Sequence, residues 1–167
     1  MSVTREYIAA GKRRVNHIQA RWVGEEAFEA GHPDRPWIRI DASGKTGPGP
    51  VETLLCAFAT CSAVDVVSIL EKRRTPVATL EVDVHGERAD AIPARLTNVQ
   101  LVFRITGEGI EREQAERAIE LAVNKYCSVR DSLDPAIPVE LMLELNGEAG
   151  ATIDAATTAE RAARTAE

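Results

Sequence analysis

"TLLCAFATCSAVDVVSIL", residues 53–70, is an apolar run that carries two thiols and a single carboxylate, Asp65. Three readings compete for it: a membrane span, a core helix that uses cysteine as a small hydrophobe, or a helix built around a reactive sulfur. Pro50 stands just before the run, Glu52 falls in its first turn and "EKRR" (71–74) closes it. Acid then lies at the positive end of the helix dipole and base at the negative end. The length is at the lower edge of a bilayer span, and a carboxylate at mid-bilayer is expensive. The stretch therefore predicts a buried central helix, apolar nearly all round because it is covered on several sides.

Working outward, "ASGKTGPGP" (42–50) is a Gly- and Pro-rich loop. Before it, "HIQARWVG", "EEAFEAG" and "RPWIRID" read as short strands bounded by Gly or Pro. After the helix, "TLEVDVHGER" (79–88) alternates Leu80, Val82 and Val84 with Glu81, Asp83 and His85. "RLTNVQLVFRITG" (95–107) does the same with Val99, Leu101, Phe103 and Ile105. "IEREQAERAIELAVNKY" (110–126) predicts a second helix with Ala115, Ala118, Ile119 and Ala122 on one stripe. "CSVRDSL" (127–133) begins afresh, and "IPVELMLELNG" (137–147) closes as an alternating strand. This order gives an α+β domain, with antiparallel sheet packed on helices. It spans residues 17–147, between a lead-in (1–16, partly helical) and an Ala-rich tail (148–167) that is weakly helical or disordered.

At 167 residues the chain suits one domain. A formal net charge of −6 argues against a nucleic-acid or anionic-membrane partner, which would need clustered Lys and Arg. "MSVTREYIAAGKRRVNH" has no apolar signal core, so a cytoplasmic location is expected. Three cysteines do not make a disulfide scaffold, and they call for explanation as packing residues, metal ligands or working thiols.

Several motifs fail. "SGKTG" lacks the phosphate-loop glycine, since Arg39 stands five residues before Gly44. His17, His32 and His85 are scattered and unpaired with cysteine, so no metal site is expected. Cys56 and Cys61 sit about 140° apart around a helix and cannot readily share a metal or a disulfide. Cys127 falls at the N-cap or first turn of a new helix, where backbone N–H groups favour thiolate.

"GPGPVETLLCAFATCSAVDVVSIL" and "KYCSVRDSL" together resemble the two cysteine motifs of the OsmC/Ohr family, closer to its OsmC-like branch, over about residues 17–146. The resemblance implies an OsmC-like fold, with antiparallel sheets packed on a long buried central helix and an intertwined homodimer. It also implies a thiol peroxidase acting on small organic hydroperoxides or hydrogen peroxide. By position, Cys61 matches the peroxidatic cysteine, Cys127 the resolving cysteine and Glu52 the motif glutamate. Arg39 is the best match to the family's arginine, with Arg35 and Arg21 as alternatives. In that scheme the arginine favours the Cys61 thiolate and Glu52 holds the guanidinium. No bound cofactor is implied, and an external dithiol reductant is expected to reopen a Cys61–Cys127 disulfide. Cys56 reads as a spectator or a rival resolving thiol. The competing class is a non-catalytic dimer that binds a small apolar ligand between its central helices.

Overall fold

The computed structural model describes residues 15–156. The chain divides into two compact units, one through Thr53 and one from Leu54.

The first unit holds a three-stranded antiparallel meander: β1 (Gln19–Gly24), β2 (Ala27–Gly31) and β3 (Ile38–Asp41), in that spatial order. β1 and β2 join through Glu25 with φ near 49°, a tight turn beside Gly24. Trp22, Phe28 and Ile38 are exposed, so apolar surface on this meander is left uncovered by the single chain. The Gly/Pro loop that follows is pinned to Asp41. Its Oδ1 accepts from Ser43 N and Oγ (2.9 and 2.7 Å), and its Oδ2 from Thr46 N and Oγ1 (3.0 and 2.6 Å). These donors hold the buried carboxyl far below the usual carboxylate range.

Helix α1 (Pro50–Lys72) opens with proline at its first position, where a missing N–H costs nothing. Its buried residues are Phe58, Ser62, Val66 and Leu70, a single stripe at four-residue spacing. The expectation of a helix covered on several sides is thus not met within one chain: Val64 is 68% exposed and Leu54 is also exposed. By length and apolar composition alone the helix could cross a bilayer.

The second unit is a five-stranded sheet: β4 (Thr79–Arg88), β5 (Leu96–Thr106), β6 (Val139–Leu145), and the two-residue strands β7 (Glu148–Ala149) and β8 (Ile153–Asp154), both paired to β6. β4 and β5 are antiparallel, but β5 and β6 run parallel, so this sheet is mixed rather than purely antiparallel. The reason is the crossover between them, helix α2 (Arg112–Leu121), which returns the chain to the same end of the sheet. In the parallel register Val99, Leu101, Phe103 and Ile105 face Val139, Leu141, Leu143 and Leu145, and all eight are buried. α2 contributes Ala115, Ala118 and Ile119 to the core and packs on β6. Gly86 of β4 lets α1 approach closely, since a Cβ there would lie 2.8 Å from Leu96 and 2.9 Å from Leu55. The start of the expected tail is therefore sheet edge and not helix; the lead-in and the last eleven residues lie outside those described.

Candidate active site

The chain does not pass from α2 to Cys127 by a plain helix end. Residues Ala122–Tyr126 widen into a π turn, and Cys127 N donates to Ala122 O at 2.8 Å across it. Such a turn re-aims the residues that follow it. Cys127 then caps the short helix α3 (Ser128–Asp131): its backbone is extended, and its Sγ accepts from Arg130 N at 3.3 Å. The N-cap position expected from sequence is the observed one.

Cys127 is only 3% exposed, and burial pushes its thiol pKa up. The Ser62 hydroxyl and the Arg130 N–H pull in the other direction, while the nearby Cys61 raises it further. The N-cap argument for thiolate thus identified a real donor, yet desolvation outweighs it. Cys61 is thus near enough to influence the Cys127 thiol, and both are free. Cys61 is half-buried on α1, next in sequence to the wholly buried Ser62. Cys56 is exposed, on another side of the helix.

The two other expected site residues belong to the first unit, and the structure does not pair them with each other. Glu52 reaches back along its own helix, Oε2 accepting from Gly49 N at 2.7 Å, which is half of a capping box. Arg39 is exposed and donates from Nε to Thr46 Oγ1 at 2.7 Å. That hydroxyl in turn donates to Asp41, so Arg39 is tethered to a buried carboxylate through one threonine. Of the alternative arginines, Arg21 lies 4.8 Å over the Trp37 ring and 3.5 Å from Glu29, while Arg35 is exposed.

Sequence reasoning missed three residues. Asp41 had a visible signal, an Asp two residues before Ser43 at a loop start, where Asx turns form. Arg130 is only 2% exposed and donates from Nη2 to Ile137 O at 3.2 Å, tying the Cys127 turn to the approach of β6. Its spacing of three from the cap was legible, but not its burial. Ser62 had no signal beyond lying beside Cys61.

The family model for OsmC-like proteins matches residues 42–142, which takes in both cysteine motifs. The chain is 38% identical over 125 residues to protein YhfA of Escherichia coli, covering 73% of this chain and 93% of YhfA. It therefore belongs to the OsmC-like family. Among solved structures, a hypothetical protein from Aquifex aeolicus superposes with a TM-score of 0.72 at 25% identity, covering 80% of this chain and 98% of that one. The organic hydroperoxide resistance protein OhrB of Bacillus subtilis shares the fold, with a TM-score of 0.53 at 17% identity over 77% of this chain and 96% of OhrB.

Proposed function

We propose that this chain is a cysteine-based hydroperoxide reductase. What carries the reading is the pair of free thiols within both matched cysteine motifs, Cys61 on a long helix and Cys127 at a buried helix cap, with Cys61 near enough to influence the Cys127 thiol. A hydroperoxide resistance protein among the structural neighbours is consistent with it.

The Cys61 thiolate attacks the terminal oxygen of a hydroperoxide. The O–O bond breaks, the leaving alkoxide takes a proton and departs as alcohol, and Cys61 becomes a sulfenic acid. The Cys127 sulfur then attacks the Cys61 sulfur, water leaves, and a disulfide remains for an external dithiol to reduce. The family resemblance matches Arg39, held by Thr46, to the arginine of the first step, and Glu52 orders the start of the helix that carries Cys61. Exposed apolar residues on α1 and on the first meander support a homodimer as the working state.

Cys61→Ser should abolish hydroperoxide consumption in a coupled dithiol assay. Cys127→Ser should give a single turnover and then sulfinic acid at Cys61, read by mass spectrometry. Wild-type turnover in both variants would end this reading. Such a result would leave the dimer that binds an apolar ligand, a reading favoured by the burial and raised thiol of Cys127.

A further inference from the structure

A cleft of about 430 Å³ opens in the second unit between the last turns of α1 and the π turn. That volume suits a small molecule. One wall is α1, where Asp65, Ser68, Ile69 and Lys72 recur at three- and four-residue spacing. Arg73 joins them because its N–H still donates to Ile69 O at 3.2 Å, one residue past the end of the helix. The other wall is Leu121 and Tyr126. Five positions apart, they would diverge by about 140° on an α-helix; the π turn brings both to the cleft. Asp65, the single carboxylate of the long apolar run, is half-buried here. Among the described residues Asp65, Lys72 and Arg73 form no ion pair and no side-chain hydrogen bond, with each other or with neighbours. A rise of 1.5 Å per residue sets the acid and the two bases about 10–12 Å apart along the axis. Three extended residues of a peptide span about the same distance.

We propose that this cleft binds a short zwitterionic peptide thiol, its ammonium at Asp65 and its carboxylate at Lys72 and Arg73, as the reductant of the Cys61–Cys127 disulfide. A simple anion would meet the charge of Asp65, and a simple cation would meet two like charges. A molecule carrying both signs at that span satisfies all three groups. Asp65 lies one turn beyond Cys61 on the same face of α1, and Tyr126 directly precedes Cys127. The ammonium end is therefore the end nearest the thiols, and the peptide's cysteine is its first residue. Its thiolate attacks one sulfur of the disulfide; the S–S bond breaks, a mixed disulfide forms, and the other cysteine leaves as thiolate and takes the proton. A second peptide thiol attacks the mixed disulfide and releases peptide disulfide, so two monothiols supply the two electrons of one dithiol. The reducing step rests on the peroxidase reading; binding to the cleft does not.

The peptide Ser-Gly-Gly carries the charges without the thiol, and its binding to the reduced native chain is read by NMR titration at millimolar peptide. Acetylating its N-terminus should weaken binding about threefold, and amidating its C-terminus about threefold. The second preference runs against the chain's net charge of −6, which favours the amide. In Asp65→Asn the acetyl group should make no further difference, and in the double variant Lys72→Gln, Arg73→Gln the amide should make none. Absence of binding, equal affinity for free and capped peptides, or penalties that persist in these variants overturns the site. With the chain oxidised to its disulfide, Cys-Gly-Gly should reopen it about threefold faster than its C-terminal amide, and the double variant should erase that difference. Equal rates with binding intact overturn the reductant role. A chain that forms no Cys61–Cys127 disulfide overturns the peroxidase reading and the reductant role with it, while the Ser-Gly-Gly titration still decides whether the cleft is a site.

Discussion

Asp41 and Cys127 are both buried acids with hydrogen-bond donors aimed at them, yet their acidities are displaced in opposite directions. Asp41 receives four short hydrogen bonds from two residues of one loop, and the donors outweigh desolvation. Cys127 receives one backbone N–H at 3.3 Å and the influence of one hydroxyl, beside a second thiol, and desolvation prevails. The lesson concerns number and geometry of donors. The loop site keeps its charge permanently, as a fixed anchor, while the cap site stores a neutral thiol that ionises only on demand.

Breaking the Asp41 site should have the largest effect. Asp41→Asn replaces one acceptor oxygen with a donor that faces the donors of either Ser43 or Thr46, and the melting temperature should fall by several degrees. The carboxyl is depressed in the folded chain, so its stabilising contribution is present above the ordinary value near 4. That contribution is lost as pH falls through the ordinary value towards the folded one. Thermal melts between pH 2 and 6 should therefore show an acid limb that the Asn variant lacks, and identical profiles would refute the anchor.

The opposite sign should appear at Cys127. Its folded pKa is raised, so the fold prefers the thiol, and this contribution is present below the ordinary value near 8.5 and lost as pH rises through it. Under reducing conditions the wild-type melting temperature should decline between pH 8 and 11 more steeply than that of Cys127→Ala. Equal slopes would mean that burial does not govern this thiol.

A smaller effect gives the scale for a single bond. Glu52→Ala removes one exposed carboxylate contact at the start of the helix and should cost about 0.5–1 kcal/mol in urea unfolding. A cost much above that would show that Glu52 holds more than its own helix.

Much of this arrangement was legible beforehand because it depends on short-range rules. Pro50 and the closing basic run bracketed the long helix, the alternation of Val99 through Ile105 marked its strand, and a cysteine opening "CSVRDSL" marked a cap. What escaped depends on distant partners. Nothing within "IPVELMLELNG" says that its neighbour runs parallel, because a buried strand looks the same in either pairing. The π turn differs from a helix by one hydrogen-bond step, which periodicity over five residues cannot register. Glu52 and Arg39 were assigned through a resemblance, and local chemistry gives each a nearer partner, Gly49 N–H and the Thr46 hydroxyl.

The parallel pairing of β5 with β6 also fixes an order of events. Asp83 and Arg104, joined across the β4–β5 hairpin, are 21 residues apart, whereas Gln100 and Glu140, joined across the parallel pair, are 40 apart. The longer closure carries the larger entropic cost and is the slower to form. Cys127 lies inside the intervening crossover, and Arg130, three residues on, is tied by its side chain to Ile137 at the approach of the last long strand. On an emerging chain, therefore, the Cys127 sulfur that is buried in the finished fold spends its first moments in water, open to any oxidant or electrophile it meets.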